Sequence, residues 1–153
     1  MPAFSIDTSA LIHAWVRAYP PDVVPTFWER FDDCIAGDIV IASREVLGEL
    51  EAKADDLYKW AKERSTMFHE IDDDVQAYVS RLMARYPKLV DERTNKSAGD
   101  PWVMALASVR GLAVVTQETG GTDGRPTIPH VCGGEGIRCI NLLEFMRELK
   151  WRI

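Results

Sequence analysis

The stretch LAVVT, residues 112–116, decides the fold class. It is a continuous apolar run with two adjacent valines, and its polar and apolar positions do not alternate. Such a run is typical of a strand buried on both faces, as the central strands of parallel sheets are. The preceding segment, from Asp100 to Gly111, has apolar residues at helical spacing. We therefore predict a helix with Asp100 as its N-cap and Pro101 at its first position, followed by a central parallel strand.

Short apolar runs and amphipathic segments alternate along the rest of the chain. The other predicted strands are residues 3–6, 39–42 and 138–141. One predicted helix has Thr8 or Ser9 as its N-cap, and the others cover residues 27–37, 44–54, 56–64, 72–86 and 142–151. Residues 119–136 are rich in Gly, Pro and Thr, and we predict a long surface loop there, with a polar loop at 87–99.

The alternation of strands with helices predicts the architecture. It implies parallel crossovers, and right-handed crossovers place helices on both faces of one sheet. We therefore predict an α/β fold, a three-layer α/β/α sandwich around a central parallel sheet. The chain has 153 residues, of which 46% are hydrophobic and 27% charged. This size and composition suit one domain over residues 1–153.

Composition also limits the location and the partners of the protein. No apolar run approaches the roughly 20 residues that span a bilayer, and the first residues lack a basic head and a long apolar run, so we expect neither a membrane span nor a secretory signal. The three cysteines suit a cytoplasmic protein with reduced thiols. The formal net charge of −6 argues against a broad basic surface for nucleic acid. Any nucleic-acid contact is therefore expected to be local or metal-assisted.

Acidic residues stand at the ends of several predicted elements. Asp7 ends the first strand, and Glu118 follows the LAVVT strand, so the two carboxylates meet if these strands are neighbours. Asp100 starts a helix, and Glu49 lies within the helix after the second strand. Carboxylates that gather together repel one another unless a hard cation neutralises them, which favours Mg²⁺ or Mn²⁺. Such a site can activate water for attack on a phosphate.

Each of these acids also has a purely structural interpretation. Asp7 and Asp100 can cap helices, Glu49 can pair with Lys53 four residues later, and Glu118 can be a solvated turn residue. Spacing alone leaves both interpretations open.

Four motifs together carry a family resemblance. They are SIDTSALIHAW (5–15), REVLGELE (44–51), AGDPWVMALA (98–107) and VVTQE (114–118). In this order and spacing they resemble the PIN-domain nucleases, most of all the VapC toxin ribonucleases and a PIN-like group known only as a domain of unknown function. The resemblance covers nearly the whole chain. It implies metal-dependent cleavage of RNA with Mg²⁺ or Mn²⁺, a toxin of a type II toxin–antitoxin system, a cognate antitoxin and a homodimer.

The resemblance also assigns site residues. Asp7, Glu49 and Asp100 match the family's first three acids, and Ser9 matches a hydroxyl residue that orders the site. Asp7, Asp100 and Glu118 would hold the metal ion, while Glu49 would bind a second ion or orient the attacking water.

Three further positions belong to this implied site. The family's fourth acid usually follows a T-x-N/D pattern, which VVTQE reproduces only in part; Glu118 is the candidate and Asp123 its substitute. Glu45, one helical turn before Glu49, can act instead of it or beside it. Thr116 can help to orient the loop.

One alternative metal site and two alternative functions remain. His130, Cys132 and Cys139, with Cys34 or His69, offer zinc ligands, but without a CxxC pair the spacing is poor. Among rival functions, one is a PIN-like nuclease that acts on DNA or in RNA processing, and the other is a catalytically silent PIN-like module that binds RNA or protein.

Four basic residues lie close in sequence to the proposed site and can contact RNA phosphates, although solvated surface charge is the commoner role. They are Arg44, Arg93, Lys96 and Arg125.

Overall fold

A five-stranded, all-parallel sheet forms the centre of the computed structural model, which describes residues 2–53, 55–91 and 98–153. The strands are β1 (Phe4–Ile6), β2 (Val40–Ser43), β3 (Phe68–His69), β4 (Ala113–Val115) and β5 (Cys139–Ile140). Their order in the sheet is β3-β2-β1-β4-β5. Phe4 is in register with Val40 on one side and with Ala113 on the other. The first strand of the chain therefore lies at the centre of the sheet.

Helices connect the strands. They are α1 (Thr8–Ile12), α2 (Pro25–Ala36), α3 (Arg44–Lys53), α4 (Asp55–Lys62), α5 (Asp73–Arg85), α6 (Asp100–Arg110), α7 (Ile128–Glu135) and α8 (Leu142–Glu148). A π-helical segment, His13–Ala18, continues α1, and a 3₁₀ turn, Ser65–Met67, precedes β3. Within the described ranges, every helix is too short or too polar to cross a lipid bilayer.

Side chains of β1 show that helices cover both faces of the sheet. Phe4 packs edge-to-face on Phe145 of α8, with ring centroids 4.9 Å apart. Ser5 faces the other way, because neighbouring strand residues point to opposite faces, and its hydroxyl donates to the carbonyl of Val103 in α6 over 3.0 Å. Helices therefore form a layer on each side. The predicted α/β class and three-layer parallel architecture are confirmed.

The predicted parallel strand in LAVVT is confirmed for residues 113–115, which lie inside the sheet between β1 and β5. All residues of β4 are buried, as expected for a strand with neighbours on both sides and helices on both faces. The aromatic residues of α2, Phe27, Trp28 and Phe31, are at most 5% exposed. They belong to the core.

Two elements differ from the sequence prediction. The loop prediction for 119–136 is wrong at its end, because residues 128–135 form α7. Ile128, Val131 and Cys132 are buried at helical spacing, and burial of this face stabilises a helix that contains two glycines. The sequence prediction also omits β3, whose two residues are too few to show a strand pattern. The predicted loop at 87–99 includes residues 92–97, which lie outside the described ranges.

Two predicted helix caps are wrong. The N-cap of α1 is Asp7, the structural role considered for this acid from the sequence, rather than Thr8 or Ser9, and its Oδ1 accepts a 2.8 Å hydrogen bond from the Ala10 amide. Asp100 is the first residue of α6 and not its cap, which is Gly99. The Asp100 carboxylate therefore does not cap the amino end of its own helix.

Candidate active site

The carboxyl ends of β1 and β4 bring two predicted site residues together. Ile6 is in register with Val115, and the Asp7 amide donates to the Val115 carbonyl over 3.0 Å. Asp7 therefore leaves the sheet beside the segment that carries Glu118. The carboxyl ends of parallel strands are the usual place for a ligand site in such sheets.

Three carboxylates meet at this edge of the sheet. One oxygen from each of Asp7, Asp100 and Glu118 lies within 4.8 Å of the others, and we call these residues the acidic cluster. Asp7 and Asp100 are only 1% and 6% exposed. Buried carboxylates at this spacing repel one another in the ionised form, and their oxygens are the ligands that Mg²⁺ and Mn²⁺ prefer.

Two hydroxyl groups hold Asp7. Thr116 Oγ1 donates to Oδ2 over 2.6 Å, and Ser9 Oγ lies 2.9 and 2.8 Å from the two carboxylate oxygens. The Ala10 amide adds the capping bond to Oδ1. Asp7 thus has a fixed rotamer, and both hydroxyl residues that the sequence suggested as supports contact it.

The same hydroxyl groups anchor the segment after β4. The Gln117 amide donates to Ser9 Oγ, and the Glu118 amide donates to Thr116 Oγ1, both over 3.1 Å. Glu118 Oε1 in turn accepts a 3.2 Å bond from the Ile128 amide at the start of α7. The helix that the sequence prediction missed therefore helps to orient the third acid.

Protons stabilise the acidic cluster when no cation is bound. Burial raises the pKa of Asp7 to about 7, against the opposing effect of its hydrogen bonds from Thr116, Ala10 and Ser9. Burial, and next the charge of Glu118, raise the pKa of Asp100 to about 9. Each of these shifts is relieved when a divalent cation compensates the negative charge.

Asp100 offers a free ligand atom to such a cation. Its Oδ2 is buried and has no hydrogen-bond partner among the described residues. An unpaired buried oxygen is costly unless something else binds it. The orphaned oxygen, the spacing of the acidic cluster and its all-oxygen chemistry together fit a hard divalent cation.

Glu49 lies beside the acidic cluster and not within it. Its Oε1 accepts a 2.9 Å hydrogen bond from Thr8 Oγ1, and Lys53 Nζ lies 3.8 Å from its Oε2. The pairing with Lys53 considered from the sequence is therefore present. The charge of Glu49 also makes a small contribution to the raised pKa of Asp100. Glu49 is therefore both paired with Lys53 and close to the acidic cluster.

The other two acids considered from the sequence lie elsewhere. Asp123 is exposed and pairs with His130, whose Nε2 lies 2.8 Å from Oδ1. Glu45 is exposed on α3. Neither residue lines the cleft over the acidic cluster. The structure therefore brings Glu118, and not Asp123, to Asp7 and Asp100.

A cleft of about 880 Å³ opens over the acidic cluster, and basic side chains surround it. Its lining includes Asp100, Glu118 and Glu49, together with the basic residues His13, Arg17, Lys53, Lys88 and Arg125. Among the Lys and Arg side chains of this lining, Arg17, Lys88 and Arg125 make no ion pair with a described residue, and we call them the cationic rim. A chain with a formal net charge of −6 thus keeps these cations beside its acidic cluster.

Only part of the cationic rim was identified from the sequence. Arg125 was a candidate, whereas Arg17 and Lys88 were not. One available signal was the spacing of four from Ser9 to His13 and from His13 to Arg17, which puts these side chains on one helix face. Arg44 instead pairs with Glu70 over 2.8 Å. The candidates Arg93 and Lys96 lie outside the described ranges.

The zinc ligands considered from the sequence do not assemble. Cys34 is buried in α2, His130 is paired with Asp123, and Cys132 and Cys139 contact each other. In the part of the chain that the structure describes, the acidic cluster is the one group of three or more His, Cys, Asp or Glu side chains with metal-ligand spacing.

Comparison with family models identifies the family. The model described as "Domain of unknown function (DUF4411)" matches residues 4–153, which is nearly the whole chain. The chain belongs to the DUF4411 family. Comparison of this DUF4411 chain with curated proteins finds no match.

Solved structures share the fold of the DUF4411 chain. One is VapBC-5 from Mycobacterium tuberculosis, a member of the VapBC family of toxin-antitoxin systems, at 21% identity and a TM-score of 0.51; the match covers 92% of this chain and 100% of that one. Another is FitAcB from Neisseria gonorrhoeae, at 16% identity and a TM-score of 0.53, covering 90% and 96%. At these identities the likeness establishes the fold.

Proposed function

We propose that this DUF4411 protein is a divalent-metal-dependent endoribonuclease that hydrolyses RNA phosphodiester bonds. The observation that carries the proposal is the acidic cluster, with the unpartnered Oδ2 of Asp100, at the base of a cleft surrounded by cations. Acidic ligands for a metal ion and unpaired cations for phosphates are the two requirements of a metal-assisted phosphodiesterase.

The acidic cluster would hold the ion. A bound Mg²⁺ or Mn²⁺ would supply charge stabilisation at a phosphate oxygen and would lower the pKa of a water. Asp7 and Asp100 would contribute rigid ligands, since both are buried and the hydroxyl groups of Ser9 and Thr116 also restrict the movement of Asp7. Glu118 contributes the third ligand. We assign to Glu49 the role of orienting the attacking water or of binding a second ion.

The cationic rim would bind the substrate backbone. Arg17, Lys88 and Arg125 are exposed and make no ion pair with a described residue, so their charges are available to phosphates on either side of the scissile bond. With a formal net charge of −6, the rest of the surface repels nucleic acid. Binding would therefore be confined to the cleft.

The biological setting we propose is the toxin half of a type II toxin–antitoxin system, with a cognate antitoxin as partner and a homodimer as the assembly. The motifs that resemble VapC ribonucleases support this setting, as does the fold shared with VapBC-5. Co-expression with the product of a small neighbouring gene tests the antitoxin partner. The mass of the purified protein in solution tests the homodimer.

The decisive experiment compares the wild type with Asp7→Asn and Asp100→Asn on a pool of structured RNA. Each protein is assayed with Mg²⁺, with Mn²⁺ and with a chelator, after removal of any co-purified partner. Asp123→Asn is the matched control, because Asp123 is an exposed acid outside the cleft. We expect cleavage that needs metal, is lost in both cluster variants and persists in the control.

Two outcomes would change the assignment. Cleavage of a DNA oligonucleotide of the same sequence, with RNA left intact, would make the protein a deoxyribonuclease of the same fold. No cleavage by a folded wild type with either ion would contradict the nuclease proposal and would favour a silent binding module.

A further inference from the structure

The carboxylate of Glu49 occupies the space where a side chain at position 99 would stand. A Cβ atom built on Gly99 would lie 2.9 Å from Cδ of Glu49, and closer still to its Oε1. Real Cβ atoms are not found at such distances. The acid therefore reaches its position only because residue 99 has no side chain.

The backbone at Gly99 does not itself require glycine. Its φ of −81° and ψ of −17° lie in the right-handed helical region, which every L-residue adopts readily. Glycine at such a position carries an entropic cost and no conformational benefit. In this structure, the benefit of glycine at position 99 is the space that it leaves for the Glu49 side chain.

Two other groups hold Glu49 at the same place. Thr8 Oγ1 donates to Oε1, the atom that approaches Gly99, and the Lys53 ammonium group lies near Oε2. The Glu49 side chain is 14% exposed, so most of it is in contact with neighbouring groups. Because Gly99 directly precedes Asp100, this arrangement keeps the acid next to the acidic cluster.

We propose that Gly99 is a positioning residue: its missing side chain admits the Glu49 carboxylate to the edge of the acidic cluster, where the Thr8 hydroxyl fixes it. The functional part of this inference rests on the proposed metal-dependent activity. The positional part concerns only the two side chains and can be measured without metal or RNA.

A methyl group at position 99 should displace Glu49 without preventing the protein from folding. The atoms that it would meet are the far end of a flexible side chain, so Glu49 can move aside while the backbone stays in place. Alanine is compatible with the local backbone and restricts the unfolded chain more than glycine does. Gly99→Ala is therefore expected to fold with an unchanged or slightly higher melting temperature, and with Glu49 displaced.

The chain supplies a matched control for this methyl group. Gly48 precedes Glu49 on α3, and a Cβ atom built there has no neighbour within 4 Å. Gly48→Ala therefore adds the same methyl group next to the same acid without touching it.

The test is a double-mutant cycle with four proteins: the wild type, Gly99→Ala, Glu49→Ala and the double variant, with Gly48→Ala beside them. Mn²⁺ affinity by calorimetry and kcat/KM on RNA are measured for each. We expect Gly99→Ala and Glu49→Ala each to lose about 10- to 100-fold, the range seen when groups that orient metal ligands are removed. The double variant should lose no more than Glu49→Ala alone, and Gly48→Ala should match the wild type.

A second readout reports position directly. The ¹³C resonance of the Glu49 side-chain carboxyl, assigned by its absence in Glu49→Ala, should shift in Gly99→Ala and stay in place in Gly48→Ala. If Gly99→Ala fails to fold while the double variant folds, the clash with Glu49 is likewise established.

Three results would overturn the inference. They are an unmoved Glu49 resonance in Gly99→Ala, losses in the double variant equal to the product of the two single losses, or wild-type Mn²⁺ affinity in Gly99→Ala when Glu49→Ala has lost it. A wild type that neither binds Mn²⁺ nor cleaves RNA would instead refute the proposed function. In that event the carboxyl resonance still decides whether Gly99 positions Glu49.

Discussion

The hydroxyl group of Thr116 donates a 2.6 Å hydrogen bond to Oδ2 of Asp7, although 109 positions separate the two residues in the sequence. Thr116 Oγ1 also accepts a hydrogen bond from the Glu118 amide, so one side chain contacts residues that follow two different strands. This bond also lowers the pKa of Asp7 against the effect of burial. Thr116 therefore helps to position Asp7 and the backbone at Glu118, and it favours the ionised form of Asp7.

Replacement of Thr116 by valine should weaken metal binding. Thr116→Val removes the donor to Asp7 and the acceptor for the Glu118 amide without a large change in shape. We expect a pKa of Asp7 above its wild-type value, a loss of about 10- to 100-fold in Mn²⁺ affinity, and a cost of about 1–3 kcal/mol in unfolding free energy. Calorimetry and urea denaturation measure these changes, with Thr26→Val, on the exposed side of α2, as control. Wild-type affinity in Thr116→Val would show that the hydroxyl is dispensable.

Asp100→Asn should stabilise the metal-free protein. The substitution replaces a buried carboxyl, whose pKa burial and then the charge of Glu118 raise to about 9, with a neutral amide. We expect a gain on the order of a few kcal/mol at pH 8, and hence a rise of roughly 5–10 °C in melting temperature. Thermal unfolding in chelator measures this, and added Mn²⁺ should raise the melting temperature of the wild type only. If Asp100→Asn is less stable than the wild type in chelator, the buried Asp100 carboxyl does not destabilise the metal-free protein as we infer.

The stability of the metal-free protein should depend on pH through Asp7 and Asp100. Burial, as the largest cause, raises their folded-state pKa values from 3.8 to about 7 and about 9, so the folded protein holds more protons than the unfolded chain between these limits. Their contribution to the unfolding free energy should fall as pH rises, from about pH 4 up to 7 for Asp7 and up to 9 for Asp100, by on the order of 1 kcal/mol per pH unit for each group.

Urea denaturation from pH 5 to pH 9 tests this dependence. The decline should be smaller in Asp100→Asn, and saturating Mn²⁺ should reduce it above pH 7, since the ion takes the place of the protons. Identical pH profiles for the wild type and Asp100→Asn would show that Asp100 does not titrate as inferred.

Neutralisation of the cationic rim should weaken RNA binding in a salt-dependent way. In an Asp100→Asn background that prevents cleavage, the triple change Arg17→Gln, Lys88→Gln and Arg125→Gln should reduce the slope of log affinity against log salt by about 0.7 per lost phosphate contact. Fluorescence anisotropy at several salt concentrations measures the slope. Arg147→Gln is the control, because Arg147 is exposed on α8 and does not line the cleft. Equal slopes in the triple variant and in Arg147→Gln would show that the cationic rim does not take part in RNA binding.

The central part of the fold was predictable because its signals are local. The LAVVT run, the strand that ends at Asp7 and the Asp-Pro start of α6 each carry their pattern within a few residues. The elements that were missed lack such signals. β3 has two residues, and the glycines of α7 conceal a buried face that only the packed structure reveals.

The site was predictable to a lesser extent, because part of it depends on contacts through space. Strand adjacency was enough to bring Asp7 and Glu118 together. The approach of Glu49 to Gly99 is different, since it joins residues from two helices whose packing no local pattern encodes. The cationic rim likewise joins three separate segments of the chain.

The central position of β1 also determines when the site can form during synthesis. Asp7 leaves the ribosome before Thr116, which follows 109 residues later, and at about 5–20 residues per second this is a delay of roughly 5 to 20 s. Until β4 emerges, β1 lacks that neighbour, and the acidic cluster lacks Glu118. The proposed nuclease therefore cannot complete its metal site before β4 has emerged and packed beside β1.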